Sequence, residues 1–456
     1  MTLFSTALAA VVLAVAPPVA QDAAPGLAGA WEGRISVGGQ SIRVVFRVGE
    51  DGAAVMDSPD QGAIGIPADR PVVEGGTVRI GVPTIGGRFE GALSEDVRTL
   101  TGALHQGGAA LPLILARQAE AAAAPGLNRP QTPQPPFPYR AEDVVIDTPT
   151  EGVRLAGTLT LPEGPGPFPA AFLITGSGMQ DRDETVFGHK PFLVLADALT
   201  RRGVAVLRVD DRGVGGSTGS ARNATSADFA LDAEAAVAFL AARPDIAGDR
   251  IGLIGHSEGG TIAPLVAARG SDVAWIVMIA GPAVRGAELL TEQSRRTQQA
   301  MGIAPEVLEG NVALQARLMQ AVADNADSPE AAEAAVRAVL QEAGAAPQTI
   351  DQAVQQTGAA WTRWFVAHDP RPSLAAFSGP VLALYGGKDI QVPAEQNAEA
   401  LARIRPDARI VVLPALNHLM QTADTGLVDE YAVIEETIDP EALDAIVDWV
   451  AARSGL

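Results

Sequence analysis

From Tyr139 onward the chain repeats one pattern. A short, nearly unbroken apolar run is followed by a helix-length amphipathic stretch. The runs are "AAFLITG", "GVAVLRVD", "RIGLIG", "AWIVMIAG", "PVLALYGG" and "ARIVVLP". A strand with no polar face must be covered on both sides, and stretches such as "SADFALDAEAAVAFLAARP" supply the cover. The pattern predicts a mostly parallel sheet flanked by helices over residues 139–456, opened by "GVRLAGTLTLP" as a strand pair. One interval, about 285–377, shows no strand pattern and is rich in Ala, Glu and Gln. Within it "SPEAAEAAVRAVL" has Ser328 to cap a helix, Pro329 in its first turn and Gly344 to stop it. This predicts a helical cap inserted between two strands. Trp361, Trp364 and Phe365 cluster near its end, either as core of the insert or as the lining of an acyl pocket.

Ahead of this half the grammar differs. Residues 26–117 carry short alternating segments, among them "WEGRISV", "SIRVVFRV", "TVRIGV" and "GRFEGAL", parted by Gly and Asp turns. They predict a small antiparallel β domain, a barrel or a sandwich. Residues 118–138 are Ala-rich and then Pro-rich, the composition of an extended linker. At the start, an apolar run from about Ala7 to Ala16, a Pro break and Ala20 before Gln21 have the shape of a signal peptide over residues 1–20. The run is short against the roughly 20 residues of a bilayer span. Lys and Arg are absent from its head, so an uncleaved anchor is the alternative. The expectation is an exported chain, periplasmic or secreted, with no stable membrane insertion once residues 1–20 are removed.

The chemistry concentrates at "GLIGHSEGG". Gly255-His256-Ser257-Glu258-Gly259 fits G-x-S-x-G, with an apolar strand before it and a helix-like "GGTIAPLVAAR" after it. On so sharp a turn a serine hydroxyl is aimed out of the sheet, and the helix N-terminus behind it offers free amides and partial positive charge. Glycines flank it because neighbouring chain must pass close. Pro264 should kink or end the following helix.

A serine nucleophile needs a base and an acid to orient it. Of the five histidines, His418 lies in a loop just past "ARIVVLP", at the carboxyl end of a parallel strand, where such sheets gather their sites. His256 cannot fold back onto the neighbouring hydroxyl, His105 belongs to the β domain, His368 to the insert, and His189 could line the site. Asp389 follows the preceding strand in the same way, and Asp369, inside the insert, is its weaker competitor. The chain order Ser257, Asp389, His418 makes the three a candidate triad. The oxyanion needs two amides. One is that of Glu258, after the serine; the other is that of Ser177 or Met179, in the loop after "AAFLITG". Asp181, Arg182 and Asp183 would hold that loop by ion pairs. The "DDRGVGGSTGS" stretch has Thr218 where a dinucleotide fingerprint needs its third glycine, so it reads as a tight turn with Arg212 tying loops together.

These motifs carry a resemblance. From about Tyr139 the chain resembles serine α/β-hydrolases with a helical cap. "ITGSGMQDRDE", "DDRGVGGSTG" and "GLIGHSEGG" resemble a group of bacterial exported esterases that often carry a small N-terminal β domain. The resemblance implies the same three residues, Ser257, Asp389 and His418. It departs at the oxyanion loop, where many α/β-hydrolases have His-Gly and this chain has Thr175-Gly176.

The 33 basic and 54 acidic residues leave a net charge of -21, which disfavours nucleic acid, anionic membranes and strongly anionic substrates. With no cysteine there is no disulfide, thiol nucleophile or Cys-ligated zinc, and no ligand cluster points to a metal or cofactor. The expected partner is a small uncharged ester of short-to-medium acyl length, cleaved through an acyl-enzyme. A serine exopeptidase is the alternative; it would need an acidic anchor for the substrate amine, and Glu258 is the acid in question. A non-catalytic binding protein fits less well, because all three candidate triad members are present.

Overall fold

In the computed structural model, described residues are 27–118, with breaks at 38–39, 50–51, 59–62, 83–84, 95 and 107–108, and 128–456 apart from 271. The signal segment 1–20 and residues 119–127 of the expected linker lie outside them. The chain divides into two units: residues 1–128 with the stretch 431–433, and residues 129–430 with 434–456.

Alternating burial shapes the first unit. Its strands are β1 (Gly29–Val37), β2 (Gln40–Val48), β3 (Ala54–Ser58), β4 (Ala63–Ala68), β5 (Val72–Glu74), β6 (Thr77–Val82), β7 (Gly87–Leu93), β8 (Thr99–Gln106) and β9 (Ala109–Arg117). They form one antiparallel sheet in the order β4-β3-β2-β1-β9-β8-β7-β6-β5. Every second residue of β6 points inward, and Trp31, Phe46, Ile80, Phe89 and Leu100 meet in the core. The Trp31 indole donates to the Leu27 carbonyl at 2.8 Å, so its one polar atom is satisfied in the interior. A single sheet replaces the sandwich alternative. Strands β3, β4 and β5 carry too little apolar alternation ("AVMDS", "AIGIPA", "VVE") to stand out in sequence.

The second unit holds the parallel sheet. Its strands are β10 (Arg140–Asp147), β11 (Arg154–Leu161), β12 (Phe168–Ile174), β13 (Ala205–Val209), β14 (Ile246–His256), β15 (Trp275–Ile279), β16 (Val381–Gly386) and β17 (Arg409–Leu413), in the order β10-β11-β13-β12-β14-β15-β16-β17. Strands β10 and β11 form an antiparallel hairpin, β11 also runs antiparallel to β13, and the rest are parallel. "GVRLAGTLTLP" is therefore not a strand pair: it forms the single strand β11, and its partner is the half-exposed "RAEDVVID". Every residue of β13, β15 and β16 is buried, as expected of strands covered on both faces. The cover comes from α1 (Pro191–Arg201), α2 (Ser226–Ala241), α3 (Gly259–Ala268), α10 (Ala394–Ile404) and α11 (Pro440–Arg453).

Between β15 and β16 lie six helices: α4 (Gly286–Ala300), α5 (Pro305–Asp324), α6 (Pro329–Glu342), α7 (Pro347–Thr357), α8 (Ala360–Ala367) and α9 (Arg371–Ala376). The Ser328 hydroxyl caps α6 by accepting from the Ala331 amide at 3.1 Å, and Gly344, at φ 72°, follows its end. The insertion has its own small core around Leu318, Val322, Val336, Leu340 and Ile350.

Candidate active site

Close backbone packing builds the turn between β14 and α3. Ser257 adopts φ 52°, a left-handed conformation rare for a residue with a side chain. Its amide donates to the Ile279 carbonyl at 2.9 Å, which ties the turn to β15. A Cβ on Gly255 would lie 2.0 Å from the Gly259 carbonyl oxygen, and one on Gly259 2.2 Å from that of Ile174. Only glycine fits at either position. Helix α3 runs on through Pro264, so that proline does not end it.

His418 and Asp389 meet at the ends of their strands. His418 Nδ1 lies 2.8 Å from Asp389 Oδ2. The other carboxylate oxygen accepts the Gln391 and Val392 amides at 2.8 and 2.9 Å, which fixes its direction. A carboxylate can only accept, so Nδ1 carries the proton and Nε2 is left as a base. The ring of His418 lies 4.8 Å from that of His256, the residue before Ser257. Among the described residues, Ser257 Oγ makes no hydrogen bond to His418. Asp369 pairs instead with Arg371 at 2.7 Å.

The loop after β12 is held by acids. Asp211 accepts from the Thr175 hydroxyl and the Gln180 amide, both at 2.9 Å. Arg182 grips Asp210 through two side-chain bonds, buried Arg208 pairs with Asp183, and Arg212 makes a bidentate pair with Asp232 on α2. The first two pairs tie the loop after β12 to β13 and the turn that follows it, and the third ties that turn to α2. Glu184, at φ 52° and 3% exposed, accepts the Gly176 amide at 2.7 Å. Among the described residues the amides of Ser177, Met179 and Glu258 donate to no protein acceptor, so all three candidates for the two expected oxyanion donors are available.

Two sequence readings change here. Trp361 does not only pack the insert: its indole donates to Glu258 Oε1 at 2.8 Å, while its ring stacks on Phe365 at 4.9 Å. Trp364 stacks on His368 at 4.2 Å, and Phe365 is buried in the main core. His189 does not line the site. It is fully buried, with its ring nitrogens on Thr437 and Gln421, and so supports the His418 loop. Burial pushes His368 down to about 4, which keeps it neutral.

Sequence reasoning missed the role of His256. It is buried, with Nδ1 2.9 Å from Glu184 Oε1 and Nε2 3.0 Å from the His418 carbonyl. It also missed how Glu258 is held: Oε1 accepts from the Ser226 hydroxyl at 2.5 Å as well as from Trp361. Burial raises the Glu258 carboxyl above its ordinary range despite these donors.

The family model described as "Hydrolase_4: Serine aminopeptidase, S33" matches residues 190–424, just over half of the chain. The chain is similar to Esterase EstD of Thermotoga maritima, 28% identical over 317 residues that cover 69% of this chain and 68% of that protein. Among solved structures it is similar to an esterase of Pyrococcus furiosus (16% identity, TM-score 0.44, 72% of this chain and 98% of that one). It is also similar to 2,6-dihydroxy-pseudo-oxynicotine hydrolase (18% identity, TM-score 0.40, 70% and 68%).

Proposed function

The chain belongs to the serine aminopeptidase S33 family of α/β-hydrolases, and we propose that it is a serine carboxylesterase acting on uncharged, short-to-medium acyl esters. His418 takes the Ser257 proton as the hydroxyl attacks the ester carbonyl. Asp389 fixes the tautomer of His418 and stabilises the imidazolium that forms. The Glu258 amide and that of Ser177 or Met179 receive the developing oxyanion. The tetrahedral adduct collapses, the alcohol leaves with the proton from His418, and water repeats the sequence on the acyl-enzyme.

The family description names aminopeptidases and the curated relative is named an esterase, so the leaving group needs a separate argument. One observation carries the ester reading. An exopeptidase must offer an acid to the substrate amine, and the acid beside the nucleophile is closed off. Glu258 is 3% exposed and already accepts from Ser226 and Trp361. The aromatic and aliphatic side chains that the insertion brings, Trp361 and Phe365 among them, suit an acyl chain.

The test compares catalytic efficiency on p-nitrophenyl butyrate with that on aminoacyl and dipeptidyl p-nitroanilides. The ester should be favoured, and a fluorophosphonate should label wild-type protein and not Ser257→Ala. An anilide turned over as well as the ester would establish the exopeptidase. Labelling that survives Ser257→Ala would remove the nucleophile assignment.

A further inference from the structure

Both ring nitrogens of His256 face oxygen acceptors in a buried site. A backbone carbonyl can only accept, so Nε2, 3.0 Å from the His418 carbonyl, carries a proton. Nδ1 faces Glu184 Oε1, which also accepts the Gly176 amide. A neutral imidazole has a single N–H, and a lone pair on Nδ1 aimed at a carboxylate would be repelled. The proton between them belongs on the imidazole, because carboxylic acids are the stronger acids and the Gly176 amide further favours the carboxylate.

We infer that His256 and Glu184 form a buried imidazolium–carboxylate pair that positions the catalytic machinery: Glu184 holds the Gly176 amide of the oxyanion loop, and His256 holds the His418 backbone carbonyl of the base loop. This rests on Ser257 and His418 being nucleophile and base. Two segments far apart in sequence, the loop of Gly176 and Glu184 and the loop of His418, are thereby tied to the residue adjoining Ser257. Glu184 keeps a left-handed backbone to reach this place, a strain of the kind that accumulates at functional sites. Burial works against the charge on His256, but the Glu184 carboxylate and the His418 carbonyl outweigh it and raise the imidazole above its ordinary value. The charged or titratable groups facing the ring are Glu184 from the oxyanion loop, His418 from the base loop and, further off, Asp389. His256 and Glu184 are positioning residues: neither need touch the substrate. Loosening them lets the oxyanion loop and the base drift, and a misplacement of about 1 Å costs on the order of 100-fold in rate.

The first test reads the pair without a variant's activity. In wild-type protein carrying nitrogen-15 histidine, long-range proton–nitrogen spectra report each ring nitrogen, and His256→Gln identifies the signals. Both His256 nitrogens should remain protonated at about pH 7.5, above the ordinary imidazole value near 6.5. One unprotonated nitrogen there would overturn the pair. The second test is Glu184→Gln, which keeps the shape and removes the charge. With the fold intact by circular dichroism, kcat on the ester and the fluorophosphonate labelling rate should fall together, about 10- to 100-fold, with KM little changed. Unchanged rates would overturn the positioning role. A wild-type chain that resists the phosphonate while His256 reads doubly protonated would overturn the triad, and with it the positioning role, but not the pair.

Discussion

Asp211 is a residue whose titration should be visible in the stability of the whole chain. Burial pushes its carboxyl from 3.8 up to about 7, against the pull of the Gln180 and Thr175 hydrogen bonds. With the folded value above the unfolded one, the folded state binds the extra proton between them. Asp211 therefore contributes stability that is complete below about pH 4 and is lost as pH rises through about 7. At about 1.4 kcal/mol per unit, the effect is on the order of a few kcal/mol. Asp211→Asn can keep both contacts, its carbonyl accepting from the Gln180 amide and its NH2 donating to the Thr175 hydroxyl. The variant should show a flatter dependence of urea midpoint on pH across this window; an unaltered slope would assign the dependence to other groups. At this scale the sequence was legible where a residue's place in the chain fixes its place on the sheet. Ser257, Asp389 and His418 each sit just past a strand, and the 2.8 Å contact joins the latter two. Glu184 and His256 were not legible, because 72 residues separate them and nothing in either neighbourhood points to the other.

Elements were easiest to read where their pattern is strong. The buried strands β12 to β16 and the capped helix α6 stand out in the sequence, since burial on both faces and a Ser-Pro start leave plain marks. Strand order does not, because β13 inserts between β11 and β12 through contacts that no local pattern encodes. The same limit hid the reach of α8. Its aromatic residues read as packing or pocket, yet one indole donates to the Glu258 carboxyl, beside Ser257. Trp361→Phe keeps a ring to stack on Phe365 and removes the donor together with part of the indole's bulk. Chemical denaturation should then show a loss of about 1–3 kcal/mol, the range for stripping a hydrogen bond from a buried polar group. A loss under about 0.5 kcal/mol would mean that the bond between the insertion and the turn at Ser257 contributes little.

For the whole molecule, a net charge of -21 sets a long-range field. It should hinder esters that carry a free carboxylate and leave neutral ones unaffected, and salt should relieve it, since screening sets in within about 10 Å at 0.1 M. Between about 10 and 500 mM salt, kcat/KM for the anionic ester should rise at least about twofold while that for a neutral butyrate stays level. Parallel responses would mean that local charge, not the overall field, governs approach. Two halves of different grammar were also plain in the sequence, but their seam was not. Composition marks 118–138 as one linker, whereas the second unit begins at Arg129. Arg129 donates to the Ile434 and Phe187 carbonyls, and Gln131 makes three hydrogen bonds with the backbone of Thr437 and Ile438. Such a strap is invisible to composition because it depends on single side chains. Anyone wishing to excise the hydrolytic half should therefore cut ahead of Arg129. A start at Tyr139 would discard the cord that moors the approach to α11, the stretch whose Thr437 steadies His189.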